Sequence, residues 1–130
     1  MDDRREKIDP AVESALAEEL LAIHIDSYGK GAGRTTVHLL DDAVICFLDD
    51  LELQRSEHFL VEAGRGDAVT QVRSDYQAAI ETTFRAAVER ATGRRVISFA
   101  SVTKLNPNYV IEIFRLAPRE DSGKDGSRDG

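Results

Sequence analysis

Four basic residues stand beside glycines in this chain. Lys30 and Arg34 lie in SYGKGAGRTTVHLL, residues 27–40, and Arg94 and Arg95 lie in ATGRRVIS, residues 91–98. Cations on a glycine-rich turn are what an oxyanion needs, provided the turn leads into a helix, whose first N–H groups and positive dipole end then face the anion. Residues 29–34 run the other way, following a helical segment and entering a strand-like run. The helix end they touch carries partial negative charge and disfavours an anion by roughly 0.3–1 kcal/mol. No strand precedes the stretch, and it matches neither the Walker pattern nor the dinucleotide fingerprint. The pattern predicts instead that Gly29 is the left-handed residue closing the helix. Lys30 then reaches the last carbonyls, and Gly31 and Gly33 let the chain reverse. Lys30, Arg34, Arg94 and Arg95 stay as candidate contacts for a small anion or an acidic partner. For Arg94 and Arg95 the plainer reading is a helix C-terminus favouring cations.

Other side chains with chemical potential are scattered. His24, His38 and His58 fall on a helix, a strand and a second helix, and none has a partner at metal-ligand spacing. No metal site and no cofactor is expected. Cys46 would be a nucleophile if a histidine activated it. In a hairpin closed by Asp41-Asp42, however, Cys46 faces Val37 and is one step out of register with His38, so it reads as a small buried apolar residue. Glu112 sits mid-strand in YVIEIF, on the same face as Val110, Phe114 and Leu116. It is either a buried acid with a raised pKa or a solvent-facing position. The preferred expectation is an ordinary cross-strand pair with Arg95. No catalytic set emerges, and the chain is not expected to be an enzyme.

The elements that must carry these residues are legible from period and punctuation. Asp9-Pro10 is a helix start, and Val12, Leu16, Leu20 and Ile23 repeat at helical spacing up to Tyr28, with Gly29 as the stop. TTVHLL and AVICFL read as a hairpin about Asp41-Asp42, and both faces of the second strand are apolar, so both could be covered. Asp49-Asp50 precede a short helix with Leu53, Phe59, Leu60 and Val61, closed by Gly64 and Gly66. Asp67 is expected to cap a long helix with Val69, Val72, Tyr76, Ile80, Phe84 and Val88 as its stripe, ended by Thr92-Gly93. RRVISFAS and NYVIEIFRL follow as strands around an Asn106-Pro107-Asn108 turn. The order α-β-β-α-α-β-β predicts an α+β fold with an antiparallel sheet of two hairpins packed against helices. Gly33-Arg34 and Gly93-Arg94 hint at two related helix–hairpin units.

The chain has 130 residues, which suits one domain, here 8–117. Residues 1–7 read as frayed and 118–130 as a polar, disordered tail. With 24 acidic and 17 basic residues the net charge is −7, which argues against a nucleic-acid binder, since that affinity comes from neutralising phosphates. No apolar run suits membrane insertion, no signal peptide is recognisable, and the single cysteine fits a reducing compartment. The expected location is cytoplasmic.

YGKGAGRTTVHLLDDAVICFLDDLE, LQRSEHFLVEAGRGD and ERATGRRVISFAS with NPNYVIEIF together resemble the MpsC family, over about residues 10–117. Gly29, Lys30 and Gly31 match a GKG motif. Leu53, Glu57, Leu60, Gly64 and Gly66 match a second motif, and Gly93 and Arg94 a TGR motif. The chain departs at Ala32, where Pro is usual, and at Gln54-Arg55, where Thr-Pro often begins the short helix. The family takes its name from a proposed sodium-translocating, membrane-potential-generating system, and no catalytic set carries over from it. The resemblance implies a non-enzymatic accessory or regulatory module acting through protein–protein contacts. Its partners would be a membrane-system protein, a second copy, or both, as in a homodimer. The alternative is a small-anion or nucleotide-binding sensor or enzyme using Lys30, Arg34, Arg94 and Arg95.

Overall fold

The computed structural model describes residues 9–119, so the expectations for residues 1–7 and for the tail beyond 119 lie outside it. Helix α1 spans Pro10–Tyr28. Asp9 Oδ1 accepts the Ala11 N–H at 2.9 Å, and Pro10 takes the first turn, where a missing N–H costs nothing. Gly29 ends the helix at φ +75°, its N–H donating to Ile25 O at 2.7 Å. Strands β1 (Ala32–Leu39) and β2 (Ala43–Leu51), helices α2 (Arg55–Glu62) and α3 (Gly66–Thr92), and strands β3 (Val96–Lys104) and β4 (Tyr109–Leu116) follow in the expected order.

The four strands form one antiparallel sheet in the order β1-β2-β4-β3. The Asp41-Asp42 turn sets the first register as read from sequence, with Cys46 opposite Val37 and His38 opposite Ile45. All three helices lie on one side: α1 over β1, α3 over β3, α1 and α3 against each other, and α2 on α3. Between them sits a core built on Leu16, Leu20, Val44, Leu48, Phe84 and Phe114.

Several local expectations need correction. Asp49 and Asp50 belong to β2, which runs on to Leu51, and Gly33 lies inside β1. Gly33 is therefore needed for close approach, not for reversal. A Cβ there would come within 2.7 Å of Asp50 Cβ, and Asp50 itself is in the left-handed region at φ +53°. Helix α3 opens at Gly66, so Gly66 does not close α2, and Asp67 sits in the first turn without capping. The apolar stripe of α3 holds at Val69, Ile80, Phe84 and Val88 but fails at two positions: Val72 and Tyr76 are largely exposed, and Arg73 and Gln77 take the inward positions. Likewise Phe59 on α2 is 70% exposed.

The two helix–hairpin units, α1-β1-β2 and α3-β3-β4, meet through their second strands, so a quasi-two-fold axis passes between β2 and β4. The residues that correspond are Gly29 and Gly93, both left-handed helix stops at φ +75° and +71°. The Gly33-Arg34 match to Gly93-Arg94 does not hold, because Gly33 is a strand residue.

Candidate functional site

The four basic candidates do not converge. Lys30 and Arg34 lie at the start of β1, one edge of the sheet. Arg94 and Arg95 lie before β3, the other edge, and at the opposite end of the strands. Three strand spacings alone separate them by ~14 Å. Arg34 reaches Asp49 Oδ2 at 3.8 Å and lines a groove of about 440 Å³ between α1 and β1, in which Glu13 and Glu18 supply acid. That lining suits an anion poorly. Arg94 donates from Nη1 to Asp41 O and from Nη2 to Ala117 O, each at 2.7 Å, so it fastens the β1–β2 turn to the end of β4. Lys30 and Arg95 are exposed.

The concentration of polar chemistry lies elsewhere, beneath the helices. His24 and Tyr28, one turn apart on α1, face Arg73 and Gln77, one turn apart on α3, and below them β4 presents Glu112. His24, Arg73, Gln77 and Glu112 are all buried, Glu112 and His24 completely. Arg73 Cζ lies 4.5 Å over the Tyr28 ring, and the His24 and Tyr28 rings are 4.5 Å apart. Arg73 donates from Nε to Glu57 Oε2 at 2.7 Å and from Nη2 to Glu57 Oε1 at 2.9 Å, a two-pronged pair that ties α2 to α3. Glu57 also accepts the Gln54 N–H at 2.7 Å. Gln54 in turn donates to the Tyr28 carbonyl at the end of α1.

Electrostatics follow from burial. Burial, then the Arg73 charge, lowers His24 to about 4, so its imidazole is neutral. Burial raises Tyr28 to about 12 and lifts the Cys46 thiol well above its usual range, which leaves Cys46 inert as expected. Burial pulls the Glu57 carboxyl upward, but Arg73 and the Gln54 N–H outweigh it and hold it below the usual value. Glu112 is raised by burial to about 8, with the Gln77 amide opposing slightly. Gln77 is near enough to bias the carboxyl but closes no hydrogen bond of good geometry with it. The expected Glu112–Arg95 pair is absent. The strand neighbours of Glu112 are Cys46 and Ser101, and Arg95 precedes β3 altogether. Among the described residues no group of three or more His, Cys, Asp and Glu could hold a metal ion.

A third feature is the sheet face away from the helices. The registers place Thr36, Phe47, Ile111 and Val102 in one row across it, and His38, Ile45, Ile113 and Ala100 in the next. Ile113 is 36% and Val102 51% exposed, and no described element covers them. The sequence reading of β2 as apolar on both faces is right, but only one face is covered.

The family model described as "Na+-translocating membrane potential-generating system (MpsC)" matches residues 9–118. The chain belongs to the MpsC family. No curated protein and no solved structure matches it. Several of the motif residues serve the fold. Gly29 and Gly93 are the helix stops, Leu53 is core, Glu57 holds Arg73, and Arg94 fastens the turn. Arg73 and Gln77 escaped the sequence reading because a helix face was assigned by apolarity. Their spacing from Val69 through Phe84 and Val88 was the available signal. Among the described residues no helix is long and apolar enough to cross a membrane.

Proposed function

We propose that this MpsC-family chain is a non-enzymatic, cytoplasmic accessory or regulatory module of a membrane-potential-generating system, acting through protein–protein contacts. The observation that carries the reading is the uncovered apolar sheet face around Ile113 and Val102, since contiguous exposed apolar surface marks interaction sites. The family description supplies the system. The four basic positions, split between opposite corners, lend the anion-sensor alternative no common site. The test is tagged co-purification with the membrane components from the host, alongside a potential-sensitive dye in a deletion strain. Co-purification and a reduced potential are expected. A chain that leaves no component enriched, in a strain of unchanged potential, overturns the reading. A thermal-shift panel of bicarbonate, phosphate and nucleotides is expected to be flat; a true ligand at a hundredfold its Kd would add about 2.7 kcal/mol and show as a clear shift.

A further inference from the structure

We infer that a second copy of this chain covers the bare sheet face, two sheets stacking about a two-fold axis. The inference rests on the protein-contact reading above and names the occupant of that face. The central rows, Phe47-Ile111-Val102 and Ile45-Ile113-Ala100, carry no charge. Most charges around them are already met within the same face: Arg34 by Asp49 at 3.8 Å, and Arg115 by Asp42 at 3.4 Å. Lys104 sits at the end of edge strand β3, where a stacked partner leaves it in water. A strongly charged partner would gain nothing from such a face and would have to break these pairs. An identical face, equally apolar and internally neutralised, covers it without stranding a charge. Helix α1 is a poorer surface for a second copy: it carries Glu13, Glu18, Glu19 and Asp26 with no Lys or Arg of its own, Arg90 of α3 meets Glu19, and the whole chain is −7.

Size bears on the strength. Four strands of eight or nine residues, at ~4.8 Å between strands and ~3.3 Å per residue, make a face of roughly 500 Å². Two copies bury on the order of 1,000 Å², just under the about 1,200 Å² at which stable specific interfaces begin. Area does not set affinity, but an interface of this size is a weak one, so the dimer is expected to be concentration-dependent, with a Kd on the order of micromolar or above.

Sedimentation equilibrium over a concentration series tests this on the full chain. The wild type is expected to pass from monomer to dimer around that Kd. Ile113→Asp is expected to weaken association at least about a hundredfold, since it buries an unpaired charge in the contact. Val102→Asp, at a more exposed position, gives the same result should Ile113→Asp disturb the fold, which far-UV circular dichroism monitors. Phe59→Ser, on the helix side, leaves association unchanged. A wild type that stays monomeric throughout, a dimer that survives both sheet substitutions, or one lost with Phe59→Ser overturns the inference. Co-purification with the membrane components separates the two readings. A monomer that still co-purifies ends the second-copy inference and keeps the accessory one. A dimer that fails to co-purify does the reverse.

Discussion

Arg73 is the most consequential single side chain, because it is almost fully buried and its charge is met by one partner, Glu57. Arg73→Ala leaves Glu57 pinned beside Gln54 without its cation. The expected loss is about 3 kcal/mol in urea unfolding, at the lower end for a broken buried pair because Glu57 keeps some solvent. Adding Glu57→Gln to Arg73→Ala should recover part of it. Glu112 gives a second signature. Its folded pKa of about 8 lies above the unfolded 4.5, so between those values the folded chain holds a proton that the unfolded chain has lost. Stability therefore falls as pH rises through this window and levels off above it. His24 acts oppositely. Lowered to about 4, it makes stability rise with pH from about 4 to 6.5. The two slopes offset each other below 6.5, so the net decline shows between 6.5 and 8. Glu112→Gln is expected to abolish that decline and expose the rising limb, as read from urea midpoints across pH. A decline that persists in Glu112→Gln would move the titration to another group.

At the scale of elements, the sequence was most legible where punctuation is strong. Asp9-Pro10 and Gly29 bound α1 as read, and the Asp41-Asp42 turn fixes the β1–β2 register to the residue. It misled where a polar residue faces inward. On α3 the apolar residues Val72 and Tyr76 drew the stripe toward solvent, while Arg73 and Gln77 complete the true one. The energetic reason is local. Each inward polar group answers to a neighbour on another element, such as Glu57 on α2, and that neighbour cannot be seen from the helix's own period. For the same reason Glu112 was matched to a nearby arginine, when its register partners are Cys46 and Ser101. Gly33 was read as a flexible joint, yet its role is to leave room for the Asp50 side chain. Gly33→Ala, at an ordinary strand conformation, is expected to cost about 1–3 kcal/mol in thermal or urea unfolding through that clash. A neutral result would mean that the Asp50 backbone yields.

For the whole molecule, fold class, element order and the antiparallel pairing within each hairpin followed from sequence, and the family assignment follows from the match over residues 9–118. The candidate site did not, because its four cations were joined by their glycine context and the sheet sets them at opposite corners. How the two hairpins abut is also invisible in the chain, since β4 starts at Tyr109, 58 residues after β2 ends at Leu51, and pairs such as Ala43 with Arg115 and Leu48 with Val110 are neighbours only in space. That central seam has a practical corollary. Each side of it is a contiguous stretch of polypeptide, and the link between them passes through Gly64, an exposed, left-handed position with open space around its Cα. Two peptides severed there, each unable to bury its half of the seam alone, should reconstitute one native particle on mixing, with amide cross-peaks matching those of the uncut chain. Failure of the halves to assemble would show that covalent continuity, and not the fit of one unit to the other, holds the molecule together.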